Sequence, residues 1–300
     1  MRILVTGASG FIGFDLVNRL VKNNDYTVFA TDRTKFTDTN FDNNVNYIQC
    51  ELKDIDSVQQ LPSVDCVIHL AAFNGTKFFY EKPFDVIKDN IVSTINLLDK
   101  YIDDNIQFIY SGTPEATAGA TELGQPLPTT EESPLVVTDP TNLRWSYAGS
   151  KALGEQAVIS SGLDWKIIRY NNVYGPRQKD HFIPEFINRL ENGKAELFGH
   201  ANTRTFLHIN DAVDATIAVL QSDTCKKEIV NIGGPIETTI KEVAEKICTV
   251  MNIDASNMTL HDAPEGSAMR RWPSIDKIKK LTGWYPKISL EEGLRSLFYK

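Results

Sequence analysis

The sequence predicts an α/β fold, a doubly wound parallel sheet with helices on both faces. Three observations support this prediction: an apolar run and glycine-rich turn at the N-terminus, an acidic residue closing the next apolar run, and alternating strand and helix patterns through the first half of the chain. Ligands of such sheets bind at the carboxyl ends of the strands. The prediction therefore also indicates the edge at which a site should lie.

The stretch from Arg2 to Gly13 predicts a strand, a glycine turn and a helix. The strand is short and apolar, and the residues after Gly10 repeat at helical spacing. Three glycines spaced Gly-x-x-Gly-x-x-Gly let backbone N–H groups and the helix N-terminus face an anionic diphosphate. The predicted contacts in this turn are Gly7, Ser9, Gly10, Phe11, Ile12 and Gly13.

A second strand is predicted over Tyr26–Thr31, and Asp32 follows it. A carboxylate at that place accepts hydrogen bonds from an adenosine ribose and repels a 2′-phosphate. The turn and Asp32 together predict a dinucleotide site that prefers NAD to NADP. Arg33 leaves NADP open, because an arginine beside the ribose can accommodate a phosphate.

The composition excludes several classes of function. The 300 residues carry a formal net charge of −8 at pH 7, which argues against a general binder of nucleic acid or membrane surfaces. No uncharged apolar run approaches the ~20 residues of a membrane span, and a cytoplasmic protein is expected. The four cysteines are scattered without a metal-ligand spacing, so buried reduced thiols and no metal site are expected.

Alternation of strands and helices continues to residue 113. The predicted strands are Val45–Cys50, Asp65–Leu70 and Ile106–Tyr110, and the predicted helices are Ile55–Leu61 and Phe84–Tyr101. Ala71 and Ala72 are small enough for a cofactor to lie close to the chain. The proline-rich segment Pro114–Asn142 shows no period and is expected to form a wall on the substrate side of the site.

The pattern loosens in the second half. Helices are predicted over Ser146–Ser160, Phe182–Leu190, Asp211–Leu220, Ile240–Met251 and from Ser289; strands are predicted over Trp165–Tyr170, Glu196–Phe198, Thr205–Ile209 and Ile229–Ile232. We expect a dinucleotide-binding domain over residues 1–170 and a smaller substrate-binding lobe over 171–300. Segments near 205–250 are expected to return partly to the first domain, so the two interleave.

Tyr147 and Lys151 are spaced i,i+4 on a predicted helix and project from one face. An ammonium near a phenol favours the phenolate, which lowers the pKa of the tyrosine from ~10. Such a tyrosine can act as a general acid and base near neutral pH. The pair opens the helix that follows the fifth strand, where a nicotinamide would lie.

With these residues, the chain resembles extended short-chain dehydrogenase/reductases of the NAD-dependent sugar-nucleotide epimerase/dehydratase family, which have a Rossmann-type fold. The matching segments lie in order along nearly the whole chain. They are Thr6–Gly13, Cys50–Asp54, His69–Ala72, Asn90, Ser111–Thr113, Tyr147 to Lys151, Arg169 with Asn172–Pro176, Arg204–Phe206, Asp211, Asn231–Gly233 and Gly283–Pro286.

The resemblance implies roles for individual residues. Tyr147 would exchange a proton with a sugar hydroxyl, Lys151 would hold the nicotinamide ribose, and Thr113 would hydrogen-bond the same hydroxyl. The substrate, a nucleotide-diphosphate sugar, would be bound by Asn172, Arg204 and one of Arg270 or Arg271, of which Arg271 is preferred. Further contacts to NAD are implied for Glu51, Leu52, Leu70, Ala71, Ala72, Asn90 and Tyr170.

The resemblance also implies a homodimer built on the helices predicted over Phe84–Tyr101 and Ser146–Ser160, whose amphipathic patterns suggest the same. Their apolar residues could instead all face their own sheet. No catalytic role is expected for His69, His200, His208 or His261.

The segment after Thr113 decides the expected reaction. Family members that eliminate water often have Thr-Asp-Glu or Thr-Ser-Glu here, and this chain has Thr113-Pro114-Glu115. Glu115 could serve as a base, with a pKa raised by partial burial, but proline cannot act as the acid. A 4-epimerase is therefore preferred. A 4,6-dehydratase, a 4-dehydrogenase or decarboxylase, and a non-catalytic NAD(P)-binding protein on the same fold stay open.

Overall fold

The computed structural model describes residues 1–36, 41, 44–263 and 267–298. Its strands are β1 Arg2–Thr6, β2 Thr27–Asp32, β3 Asn46–Gln49, β4 Cys66–His69, β5 Gln107–Gly112, β6 Asp164–Tyr170, β7 Val173–Tyr174, β8 Glu196–Phe198, β9 Thr203–Arg204, β10 Leu207–His208, β11 Ile229–Ile232, β12 Thr238–Thr239, β13 Thr259–His261 and β14 Arg270–Arg271.

Seven strands form a parallel sheet in the order β11-β6-β5-β4-β1-β2-β3. The strand order reverses beside β1, so the crevice next to the glycine turn is where a doubly wound sheet binds its ligand. The predicted α/β class with a Rossmann-type sheet is confirmed.

The helices are α1 Phe11–Leu20, α2 Ile55–Gln59, α3 Thr76–Glu81, α4 Pro83–Tyr101, α5 Ala118–Glu122, α6 Trp145–Ser160, α7 Phe182–Glu191, α8 Ile209–Gln221, α9 Ile240–Met251, α10 Asp276–Thr282 and α11 Leu290–Arg295. Helices α1 and α8 pack together on one face of the sheet, and α4 and α6 pack together on the other. The strands between them carry continuous apolar runs because both of their faces are buried, as at Ile3, Leu4 and Val5.

The C-terminal part adds small sheets and a separate apolar core made by α7, α9 and α11. Helices α9 and α11 each begin with a capping box, Thr239 with Glu242 and Ser289 with Glu292. Strand β9 pairs with β14 in parallel, which places Arg204 opposite Arg271. This pairing carries two predicted substrate residues to one place from positions 67 apart in the chain.

Most predicted elements are found within a few residues of their expected bounds, and the exceptions have physical reasons. The predicted strand Thr205–Ile209 is wrong in its bounds: only Leu207–His208 forms a strand, β10, which pairs with β7, and Ile209 already begins α8. Strand β9 ends just before the predicted range, at Arg204. Two short helices, α3 and α10, were not predicted. The proline-rich segment contains a 3₁₀ turn at Pro114–Thr117 and then α5, where no helix was expected.

Strand β11 lies in the central sheet beside β6, although it comes late in the chain. The division at residues 170 and 171 itself stays a prediction. All four cysteines are buried and unpaired. None of the helices formed by the described residues has the length and apolar character that crossing a membrane requires.

Candidate active site

The glycine turn between β1 and α1 is tightly packed against the end of β4. Gly7 has φ +65°, and a Cβ there would lie 2.6 Å from the backbone N of Ala71. A Cβ on Gly13 would lie 2.2 Å from the carbonyl oxygen of Gly7. A side chain at either position would clash with backbone atoms, so this turn requires glycine there. Its backbone N–H groups therefore stay accessible beside the helix N-terminus.

A cleft of about 310 Å³ opens at this turn. Ten predicted cofactor residues line it: Gly7, Ser9, Gly10, Asp32, Arg33, Glu51, Leu52, Leu70, Ala71 and Ala72. Asp32 is fixed by the backbone N–H of Ser9 at 3.1 Å and by the N–H and hydroxyl of Thr34 at 3.1 and 3.0 Å. A glycine turn with an oriented carboxylate beside it fits the diphosphate and ribose of a dinucleotide.

The other predicted cofactor residues do not line this cleft. They are Phe11, Ile12, Gly13, Asn90, Tyr147, Lys151 and Tyr170. Asn90 accepts a hydrogen bond from the Phe73 N–H at 2.6 Å and donates one to the Ser150 hydroxyl at 3.0 Å. Tyr170 shares a hydrogen bond of 2.9 Å with the hydroxyl of Thr216. Asn90 therefore joins the segment after β4 to helix α6, and its contact with the cofactor stays a prediction.

Helix α6 carries Tyr147 and Lys151 on a buried face that packs against β5 and the 3₁₀ turn. The ring of Tyr147 stacks on Phe79 of α3, with centroids 4.9 Å apart and planes 10° apart. The Lys151 ammonium donates a hydrogen bond of 3.2 Å to the Ser111 hydroxyl and lies 4.3 Å above the ring of Tyr110. Both side chains are thus held by packing at the carboxyl end of β5.

The expectation that Lys151 lowers the pKa of Tyr147 is wrong for the protein alone. Burial raises the pKa of the Tyr147 phenol, the charge of Glu115 raises it further, and Arg271 opposes this. Burial also lowers the pKa of Lys151 to about 7, with Glu155 opposing. A lysine that loses part of its charge at neutral pH favours a phenolate less.

Thr113 and Glu115 lie where β5 gives way to the 3₁₀ turn. The Thr113 hydroxyl accepts a hydrogen bond of 3.2 Å from the Glu115 N–H, and both residues are buried. One Glu115 oxygen accepts hydrogen bonds from Arg144 at 2.8 Å and from Arg271 at 3.1 Å. The residue is therefore not a solvated loop carboxylate.

The expected rise in the pKa of Glu115 is wrong. Burial alone would raise it, but the neighbouring guanidinium groups of Arg271, Arg144 and Arg204 outweigh burial and hold the pKa below its usual range. The expectation failed because the three arginines come from distant parts of the chain. Glu115 is accordingly ionised at neutral pH and is a weak base.

The two candidate arginines of β14 have different surroundings. Arg270 forms two hydrogen bonds with Glu237, at 2.8 and 2.6 Å, and is exposed. Arg271 is turned toward Glu115, and its Nε is buried without a hydrogen-bond partner among the described residues. Arg204 is held by the carbonyl groups of Thr203 and Ala268, at 2.7 and 2.8 Å.

Asn172 has φ 36° and donates to the carbonyl oxygen of Thr205 at 2.9 Å. It therefore lies beside the segment that connects β9 to β10.

Three residues near this site were missed from the sequence. Arg144 precedes α6 and pairs with Glu115, Phe79 supports the ring of Tyr147, and His181, at φ 76°, precedes α7 within electrostatic range of Glu115. A cation three residues before the predicted tyrosine could have drawn attention to Arg144. Nothing local pointed to the other two.

Comparison with known proteins places the chain in a family. The model of the NAD dependent epimerase/dehydratase family matches residues 3–233, and the chain belongs to this family. It is therefore an NAD-dependent enzyme, as expected from its cofactor turn and from Asp32.

The chain is similar to several named proteins along nearly its whole length. It is 31% identical to a UDP-N-acetyl-alpha-D-glucosaminuronate decarboxylase of Bacillus cytotoxicus, over 98% of this chain and 95% of that protein. It is 32% identical to a putative UDP-glucose 4-epimerase of Methanocaldococcus jannaschii, over 98% and 96%.

Among solved structures, a UDP-glucuronic acid 4-epimerase of Bacillus cereus in complex with UDP-glucuronic acid and NAD matches with a TM-score of 0.87. The two chains are 27% identical, over 99% of this chain and 97% of that one.

Proposed function

We propose that the enzyme inverts C4 of a nucleotide-linked sugar through a 4-keto intermediate, as a 4-epimerase. The observation that carries this proposal is the buried face of α6, which holds Tyr147 and Lys151 beside the end of β5 and Thr113. The names of two similar proteins, a putative UDP-glucose 4-epimerase and a UDP-glucuronic acid 4-epimerase, support it.

In this proposal Tyr147 carries the proton of the C4 hydroxyl and Thr113 orients that hydroxyl by a hydrogen bond. Bound NAD supplies a positively charged nicotinamide ring that accepts and returns a hydride. Because the pKa of Tyr147 is raised in the protein alone, the phenolate becomes accessible only when further positive charge lies near it. Asn172 and Arg204 are proposed to bind the nucleotide-diphosphate part of the substrate.

The contacts of Glu115 argue against a 4,6-dehydratase. That reaction needs a base at C5 and an acid at O6. Glu115 is ionised and shared by two guanidinium groups, which weakens it as a base, and Pro114 has no proton to give. Inversion at C4 requires neither group.

Turnover in D₂O is expected to give the C4 epimer without deuterium at C3 or C5. The reason is that a simple C4 mechanism breaks no C–H bond next to the ketone. Nuclear magnetic resonance of the product, with wild type and Glu115→Gln compared on a panel of nucleotide sugars, measures this directly. Deuterium at C3 or C5 that disappears in Glu115→Gln would contradict the proposal and favour a dehydratase or an epimerase acting at those carbons.

A second candidate is favoured by the excess of positive charge around Glu115. Arg144, Arg204 and Arg271 surround one carboxylate, and the Arg271 Nε lacks a partner among the described residues. This cluster lies beside Tyr147, where the sugar would react, and suits a substrate carboxylate at C6. The similar Bacillus cytotoxicus protein is named as a decarboxylase of a nucleotide-linked uronate.

Decarboxylation would follow from the same 4-keto intermediate. The C5–C6 bond breaks, carbon dioxide leaves, the electron pair enters the C4 ketone as an enolate, and C5 then takes a proton from solvent. Release of carbon dioxide from a uronate, with deuterium at C5 of the product in D₂O, would identify this reaction in place of inversion.

The outer faces of α4 and α6 support a proposed homodimer. Phe84 is 72% exposed and Leu153 is 52% exposed, and an apolar groove runs between the two helices beside Ile91 and Ile95. A second copy of the same pair of helices would cover these side chains in a four-helix arrangement.

Light scattering at micromolar concentration is expected to give about twice the chain mass of 33.7 kDa. Leu153→Glu is expected to shift the mass to that of one chain, because it places a charge in the apolar interface. Leu260→Glu is the matched control, since Leu260 is 42% exposed on β13, a strand that pairs with β8 in a small sheet of the C-terminal part. A wild-type mass of one chain would contradict the homodimer.

A further inference from the structure

One carboxylate on α4 contacts the two cationic side chains that line the cofactor cleft, Arg33 and Lys53. Asp89 accepts a hydrogen bond from the Lys53 ammonium at 2.8 Å, and its other oxygen lies 3.9 Å from the Arg33 guanidinium. All three side chains line the cleft, and that of Asp89 is only 15% exposed. The hydrogen bond with Asp89 is also the main reason that the pKa of Lys53 is raised.

Asp32 is held independently of these ions. Its two oxygens accept from the Ser9 N–H and from Thr34, so its orientation comes from the backbone of the turn. Arg33, the next residue, is 63% exposed, and its ion pair among the described residues is with Asp89. The cation that could favour NADP is thus drawn toward α4.

We propose that Asp89 is a specificity-determining residue for the cofactor. By holding Arg33 and Lys53, it keeps two cations from a ribose 2′-phosphate, and its own charge repels that phosphate. Asp32 disfavours NADP by repelling the 2′-phosphate at the ribose. Asp89 pairs with the two cations that could otherwise offset this repulsion. Selection of NAD by this chain therefore depends on two carboxylates from two elements.

The test is the ratio of the dissociation constants for NAD and NADP, measured by calorimetric titration of the purified full chain. Wild type is expected to bind NAD more tightly. Asp89→Asn is expected to tighten NADP binding by about five- to tenfold and to change NAD binding by less than about twofold. The gain for NADP is limited because exposed ion pairs are individually weak. The gain should shrink as salt is added.

Asp99→Asn is the matched control, since it makes the same charge change on the same helix. Asp99 is exposed and ten residues further along, which is about 15 Å. The ratio of the NAD and NADP dissociation constants of Asp99→Asn should equal that of wild type.

Arg33→Ala completes a double-mutant cycle with Asp89→Asn. Alone it should change the ratio by less than about twofold, because in the wild type Arg33 is paired with Asp89 and contributes little to NADP binding. Combined with Asp89→Asn it should remove most of the gain. The proposal is overturned if Asp89→Asn leaves the ratio unchanged, if it weakens both cofactors equally, or if Arg33→Ala alone weakens NADP strongly. Binding is measured without turnover, so these results are independent of the proposed epimerase reaction.

Discussion

Tyr147→Phe is expected to lower turnover by at least about 10²-fold while NAD binding persists. The substitution removes one oxygen, the only group on this side chain that can carry a proton. The ring should stay in place, because it is buried and stacked on Phe79 at 4.9 Å. Turnover is measured on the nucleotide sugar that the wild type converts, and NAD binding is measured by calorimetry.

Tyr26→Phe is the control for this experiment, since Tyr26 loses the same oxygen in a contact with Gln221 far from α6. It should keep wild-type turnover. If Tyr147→Phe also retains wild-type turnover, Tyr147 is not the proton carrier and the proposed mechanism is wrong. If turnover and NAD binding are lost together, the side chain serves mainly to shape the cofactor site.

The cofactor turn could be predicted because its determinants are local. Gly7, Gly10 and Gly13 lie within seven residues, and Asp32 closes the next strand. A strand, a turn and a helix of this kind specify where the N–H groups point without reference to the rest of the chain. The regular helices were likewise predicted well, and α9 has the bounds that its apolar period indicates.

The charge environment of the site could not be predicted in the same way. Arg144 and Arg271 approach Glu115 from positions 29 and 156 residues away. The second contact depends on the pairing of β9 with β14, strands of two residues each that have no detectable period. The expected pKa directions of Tyr147 and Glu115 were both wrong, because burial and charged residues distant in sequence determine them.

The short helices and the two-residue strands could not be predicted from local sequence patterns either. Helix α3 has six residues, and tertiary contacts such as the stacking of Phe79 on Tyr147 supply much of what holds it. The strand predicted over Thr205–Ile209 begins after β9 has ended, and only Leu207–His208 within it forms a strand. What local patterns missed was thus mainly the arginines that contact Glu115 and the short elements that hold them in place.

A buried ion pair anchors helix α6 to the central sheet. Arg169 donates two hydrogen bonds to Glu155, at 3.0 and 2.8 Å, and the two side chains are 3% and 1% exposed. Arg169 also donates to the Glu131 carbonyl at 3.2 Å. The pair thereby joins α6 to β6 and to the proline-rich segment, one helical turn beyond Lys151.

Glu155→Gln is expected to lower the free energy of unfolding by about 3–5 kcal/mol, because it leaves the buried Arg169 charge without a counter-ion. It should also lower the pKa of Lys151 below about 7, since the charge of Glu155 opposes the effect of burial there. Urea unfolding measures the first effect. Glu291→Gln is the matched control: the same substitution in the exposed pair with Arg295 should cost no more than about 0.5 kcal/mol.

Replacing both partners distinguishes loss of the charge balance from loss of packing. The double variant Glu155→Leu with Arg169→Met fills the space with apolar groups and should be more stable than Glu155→Gln, because no charge is left buried alone. A Glu155→Gln protein as stable as Glu291→Gln would contradict the prediction. So would a double variant less stable than Glu155→Gln, because the stabilisation would then come from the shape of the two side chains and not from the match of their charges.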